Sequence, residues 1–249
     1  MIFFSMLTKI AYRTFAKSMS YILHIDTSGN EGTIALSEDG KILFTERNAN
    51  ARDHAASINL MVERILQAAD IGIQQLSAIS VCAGPGSYTG LRIGLATAKG
   101  YCYAYDIPLM LENRLTLLAY QFFEQLKREG KHIDLIITAL VARENEYFFA
   151  SYDGNFNIKT APTHITEEDL LSVMESNSDN AYITGRLSAK SINSTYMHSG
   201  NYIDNESIDA EFWAKKSFDA YKCQKFVTLS SAEPFYLKQV FINKPLKNN

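Results

Sequence analysis

The segment Gly84-Pro85-Gly86-Ser87-Tyr88-Thr89-Gly90-Leu91-Arg92-Ile93-Gly94 joins a β-prone run, residues 79–83, to a stretch of helical composition from Leu91 to Tyr105. A glycine-rich segment in that position predicts a tight strand-to-helix turn. The first N–H groups of a helix lack intrahelical partners and carry the positive end of its dipole, so such a turn is a potential anion cradle. The familiar phosphate loops do not match it. A Walker A loop has four residues between its glycines and then Gly-Lys-Ser/Thr; here five separate Gly84 from Gly90, and Leu91 stands at the lysine position. The dinucleotide pattern G-x-G-x-x-G fails by one residue, and the preceding strands read as hairpins instead of opening a βαβ unit. A turn whose glycines only permit close packing is the competing reading.

With 249 residues, 47% of them hydrophobic, the chain can bury one large core or two modest ones without disulfides or metals. Its net charge of −3 argues against a self-sufficient nucleic-acid binder, so any RNA contact is expected to need a partner. Three cysteines, Cys82, Cys102 and Cys223, have no metal-ligand spacing and lie in or near apolar segments. Buried thiols in a reducing cytoplasm are the expectation. No apolar run reaches the roughly 18 residues of a membrane span. Residues 1–18 carry Lys9, Arg13 and Lys17 without an acid and lack a signal peptide's continuous apolar region. They read as an extension or a mis-assigned start, because Met19 immediately precedes the first clear strand; a transit peptide or basic amphipathic helix is the alternative.

Tyr21 to Asp26 reads as a buried strand, and Asp39-Gly40 between Thr33–Glu38 and Lys41–Glu46 is a two-residue hairpin signal. Ile58, Met61, Val62, Ile65, Leu66 and Ala69 recur at helical spacing, with Asp53 as a cap. A strand at 78–83, the glycine turn, the Leu91–Tyr105 helix, a strand near Pro108–Leu111 and a helix from Arg114 to Lys127 follow. The pattern then restarts with a hairpin, Leu135–Ala142 and Glu146–Tyr152. A helix over Thr166–Glu175 comes next, with Thr166 and Asp169 close to a capping box, then a short strand at Tyr182–Thr184. Residues 177–180 and 191–205 read as loops, and a last element is expected over Phe235–Phe241. The predicted fold class is α/β with two ribonuclease H-like half-domains of the acetate kinase, Hsp70 and actin type, the second smaller. The expected divisions are 1–18, 19–129 and 130–249.

In sequence and order, Ile25-Asp26-Thr27-Ser28, Arg52-Asp53-His54 opening a helix, the glycine segment, Ala142-Arg143 before a Tyr147-centred strand, and Pro234-Phe235-Tyr236-Leu237 resemble the TsaB (YeaZ) family over about residues 20–240. The resemblance implies a non-catalytic relative of TsaD, the transferase that makes threonylcarbamoyladenosine beside the tRNA anticodon. It implies that TsaD is held through helices of the N-terminal half and that TsaE joins as an ATPase. A homodimer when TsaD is absent, tRNA contact only within the complex and no membrane contact belong to the same expectation. No cofactor is expected on this chain alone, with ATP and metal on partner subunits. Relatives have been grouped as glycoproteases, which makes a metallopeptidase one rival reading; a nucleotide-hydrolysing enzyme of the superfamily is the other.

The residues argue against both rivals. TsaD-type proteins bind a metal with two histidines four apart on one helix face, whereas here His54 is paired with Ile58. His24, His132, His164 and His198 are isolated, and no metal site is predicted. The second half offers only Thr184-Gly185-Arg186 where active relatives have a Gly-Gly adenosine loop, and Val141 stands where the family usually has an acid. Asp26, Thr27, Ser28, Gly84, Gly86 and Ser87 form a candidate vestigial phosphate loop; the alternative is that Asp26 serves turn geometry. Ser87 and Thr89 lack a recognisable base and read as helix caps. Gly90, Gly94 and Ala98 recur every fourth residue with Leu91, Leu95 and Cys102 beside them. This stripe is the candidate TsaD interface, internal packing being the alternative.

Overall fold

The computed structural model describes residues 19–49, 54–176, 181–192 and 201–237. The expectations for residues 1–18, the Asp53 cap, the loop at 177–180 and an element reaching Phe241 lie outside them, wholly or in part.

The first sheet is built from β1 (Tyr21–Asp26), β2 (Gly32–Glu38), β3 (Lys41–Asn48), β4 (Leu76–Cys82) and β5 (Leu109–Glu112), in the order β3-β2-β1-β4-β5. The β1–β2 and β2–β3 pairs are antiparallel, and β4 and β5 continue the sheet in parallel. Asp39 (φ 48°) and Gly40 (φ 81°) both adopt the left-handed conformation at the β2–β3 turn, which is why Asp-Gly suits it. Helix α1 (His54–Ala68) crosses from β3 to β4, α2 (Tyr88–Tyr105) from β4 to β5, and α3 (Arg114–Arg128) leaves the sheet.

The second sheet repeats the plan: β6 (Leu135–Arg143), β7 (Glu146–Asp153), β8 (Ile158–Thr166), β9 (Ala181–Arg186) and β10 (Tyr202–Asp204) lie in the order β10-β9-β6-β7-β8. Helices α4 (Glu167–Glu175), α5 (Ala189–Ile192) and α6 (Ala210–Lys222) accompany it. Three antiparallel strands followed by parallel ones, twice over, give the two ribonuclease H-like halves. Thr166 and Asp169 form a reciprocal capping box at α4. Of the loop expected over 191–205, residues 193–200 lie outside the described ones and Tyr202–Asp204 form β10; β8, α5 and α6 are elements that the sequence patterning does not mark. No described helix is long and apolar enough to cross a membrane.

The two halves exchange helices. The apolar face of α3, with Leu115, Leu118, Phe122 and Leu126, packs against Ile136, Tyr152 and Tyr182 of the second half. In return α6 lies against β1 and β3, with Trp213 ring-to-ring with His24 at 5.1 Å and Phe218 against Gly40. A division at residue 129 therefore follows chain order but leaves α3 on the sheet of the other half.

Candidate functional site

The β4–α2 turn and the β1–β2 turn are locked together. The Asp26 carboxylate accepts from Ser28 N at 2.8 Å, the Ser28 carbonyl accepts from Ser87 N at 2.7 Å, and Thr27 Oγ1 donates to the Gly90 carbonyl at 2.7 Å. Ser87 caps α2, its hydroxyl accepting from Gly90 N at 3.2 Å. A Cβ on Gly86 would overlap the Ser28 carbonyl, and one on Gly90 would overlap the Thr27 carbonyl. Asp26, Thr27, Ser28, Gly84, Gly86 and Ser87 thus meet as the sequence suggested, but as a filled joint. Asp26 serves turn geometry, the alternative to the candidate phosphate loop, while the Ser28 carbonyl takes the Ser87 N–H and the Ser87 hydroxyl takes the Gly90 N–H.

Arg114, which the sequence marked only as a helix start, closes this joint from the other side. It is 8% exposed, its N–H donates to the Gly84 carbonyl at 2.7 Å, and Nη2 donates to the Glu206 carbonyl at 2.6 Å. The same nitrogen lies 3.2 Å from where a Gly29 Cβ would stand. The guanidinium is thus held between the β1–β2 turn and the Glu206 carbonyl. Among the described residues no group of three or more His, Cys, Asp or Glu is placed to hold a metal ion.

Gly90, Leu91, Gly94, Leu95, Ala98 and Cys102 are all buried. A Cβ on Gly94 would overlap Thr27 Oγ1 and touch Ile25 of β1. The small residues let α2 approach its own sheet, which corrects the expectation that this stripe forms the partner interface. Burial pushes the Cys102 thiol up to about 12, leaving it neutral.

The opposite face of α2 is open. Tyr103 is 86% exposed and Tyr105 48%, Leu60 on α1 is 53% exposed, and a Cβ on Gly100 would meet nothing within 4 Å. Between the helices runs a groove of about 390 Å³ walled by Leu60, Leu66, Ile71 and Tyr105, with the Tyr101 hydroxyl donating to Asn59 at 2.8 Å. A small-residue stripe shows close approach without showing to what, and here it is the chain's own sheet.

The sequence profile described as TsaD, tRNA N6-adenosine threonylcarbamoyltransferase, matches residues 47–204. Proteins named tRNA threonylcarbamoyladenosine biosynthesis protein TsaB are similar over part of the chain. The Haemophilus influenzae protein is 32% identical over 52% of this chain and 52% of its own length, and the Bacillus subtilis protein 33% identical over 53% and 54%. The solved structure of YeaZ from Pseudomonas aeruginosa superposes with a TM-score of 0.67 at 22% identity, covering 88% of this chain and all of that one. The chain belongs to the TsaB (YeaZ) family. Its alignments span about half the length of the curated TsaB relatives it matches. A tRNA N6-adenosine threonylcarbamoyltransferase of Streptococcus sanguinis is similar too, 28% identical over 55% of this chain and 45% of its own length.

Two departures, Ile58 from the TsaD-type pattern and Val141 from that of the TsaB family, have defined places. Ile58, at the position of a second metal histidine in TsaD-type proteins, is 2% exposed in the core of the first half, and Val141 is 42% exposed near the end of β6.

Proposed function

We propose that this chain is a non-catalytic subunit in tRNA threonylcarbamoyladenosine synthesis that binds and stabilises a TsaD-type transferase, with a TsaE-type ATPase joining the assembly. It works in the cytoplasm, takes no cofactor itself and leaves ATP and metal to its partners; tRNA is engaged within the complex. The observation that carries the docking role is the open α1–α2 face. Three large apolar or aromatic side chains, Leu60, Tyr103 and Tyr105, stand exposed beside an apolar groove, and Gly100 leaves room for a partner helix to come close. The same face serves a homodimer when the transferase is absent. The non-catalytic role draws support from Ser87, whose hydroxyl is engaged as a helix cap, and from the filled joint around it.

The test is co-purification with the TsaD homologue of the same organism. The double variant Leu60→Asp, Tyr103→Asp is expected to stay folded, because both side chains face solvent, and to lose the complex. Threonylcarbamoyladenosine in a strain depending on this chain should fall with it. A folded double variant that still holds the transferase normally would overturn the assignment of this face.

A further inference from the structure

Three of the segments that carry the family resemblance also meet at a second place, which docking through α1 and α2 does not use. Tyr88 and Leu91 of the glycine segment, Arg143 and Phe148 of the β6–β7 hairpin, and Phe235 and Tyr236 near the C-terminal end of the described chain line one groove of about 210 Å³. Its walls come from both halves. Leu91, Phe148 and Phe235 make the interior apolar, while the Tyr88 and Tyr236 rings stand at the edge, 45% and 41% exposed. These two rings lie 5.4 Å apart at an interplanar angle of 32°. The Arg92 guanidinium sits 4.8 Å from the Tyr88 ring centre. Among the described residues neither Arg92 nor Arg143 makes an ion pair, while Glu146 beside the hairpin turn is engaged by His164 at 3.2 Å.

Half-open aromatic rings next to arginines without carboxylate partners suit one kind of ligand: a flat ring with a negative group attached. The rings supply stacking faces, which every base can use, and planar guanidinium groups bond phosphate oxygens in pairs. A base in a duplex has its faces covered, so the groove selects an unstacked one. We infer that this groove stacks an unpaired base of single-stranded RNA, with Arg92 and Arg143 on the flanking phosphates. The choice of RNA among anionic aromatic ligands rests on the function proposed above. An acidic peptide carrying an aromatic residue is the other occupant; the room for about one base and two half-exposed rings side by side favour RNA. With a net charge of −3 on the chain, the contact is weak alone and adds to whatever the assembled complex supplies.

The experiment uses the full chain and a fluorescently labelled single-stranded RNA of about seven nucleotides and mixed sequence, followed by anisotropy at about 50 mM salt. The same RNA annealed to its complement and a peptide rich in Glu and Tyr serve as competitors. Single-stranded RNA is expected to bind at least about tenfold tighter than the duplex. Tyr88→Ala and Tyr236→Ala should each weaken it by about tenfold, the scale of one stacked base, while Tyr88→Phe binds like the parent. Arg143→Gln should reduce the slope of log affinity against log salt by about 0.7, one phosphate contact on a single strand. The two tyrosines come from separate segments, so misfolding of one variant, seen by circular dichroism, leaves the other to decide. No binding at the highest soluble concentration, equal binding of duplex, unchanged affinity in the folded alanine variant, or displacement by the peptide in preference to RNA each overturns the inference. A chain that holds its transferase but ignores the RNA overturns this inference alone. One that binds RNA but not the transferase overturns the docking role alone.

Discussion

A single methyl group at Gly90 has nowhere to go, because the Thr27 carbonyl already fills the space where a Cβ would stand, and Thr27 Oγ1 is bonded to the Gly90 carbonyl at 2.7 Å. Gly90→Ala is expected to destabilise the free chain by about 1–3 kcal/mol, the usual cost of overpacking. Gly100→Ala, ten residues along the same helix with nothing within 4 Å, should instead stabilise by roughly 0.5–1 kcal/mol by removing glycine's conformational freedom. Thermal melts of the two variants should move in opposite directions; a shared direction would show that α2 does not sit on β1 as described. His24 gives the pH dependence. Its ring is buried beside Trp213, with Nε2 2.9 Å from Ser37 Oγ, and burial lowers its pKa to about 3. The unfolded chain takes up a proton near pH 6.5 that the native state refuses. Stability from this group is therefore complete above about pH 6.5 and falls as the pH drops towards about 3, by up to roughly 1.4 kcal/mol per pH unit. Urea titrations at several pH values should show this slope in the parent and lose it in His24→Gln; parallel curves would exclude His24 as its source.

At the scale of elements, α6 shows what sequence patterning cannot reach. Its buried face is Trp213, Ala214 and Ser217, one large residue and two small ones, so the apolar periodicity that marks α1 or α3 is weak. Its hold on the first half is distant in sequence: Phe218, Ala220 and Tyr221 pack on Ile22, Ala78 and Met110, Trp213 Nε1 donates to Ser80 Oγ at 3.0 Å, Ser80 and Ser217 hydroxyls lie 3.0 Å apart, and Lys216 donates to Glu112 at 2.6 Å. The elements that were legible are those fixed by near neighbours, such as the Asp39-Gly40 hairpin, the Ser87 cap and the Thr166–Asp169 box. The site was half legible for the same reason: motif residues named the joint, but its filling by Ser28 and Arg114 depends on contacts across the chain. Glu112 is 6% exposed, so Lys216→Met strands a carboxylate in the interior and should cost about 2–4 kcal/mol. Lys215→Met, next along the helix, breaks a pair whose lysine side chain is 50% exposed and should stay within about 1 kcal/mol. Equal denaturation midpoints for the two variants would refute the buried character of the Glu112–Lys216 contact.

For the whole molecule, helix exchange makes the halves interdependent. α3 belongs to the first half by order and to the second by packing; Phe156 of the second half stacks on Tyr152 at 4.7 Å and also meets Tyr120 and Phe123 of α3. α6 returns the exchange, and Arg114 ties the joint to the Glu206 carbonyl. A groove walled by both halves, as at Tyr88 and Phe148, keeps its shape only while these ties hold. A fragment ending at residue 129 would expose Leu115, Leu118, Phe122 and Leu126, each at most 4% exposed in the intact chain, and would lose the cover that α6 gives β1. Uncovering four large apolar side chains forfeits about 1.5–3 kcal/mol for each, comparable to the whole stability of a domain. Fragments 1–129 and 130–249 are therefore expected to be insoluble or unfolded when expressed separately and to co-purify as a folded pair when expressed together. Cooperative unfolding of the isolated 1–129 fragment, followed by circular dichroism, would show instead that the first half is an independent domain and that α3 and α6 merely join it to the second.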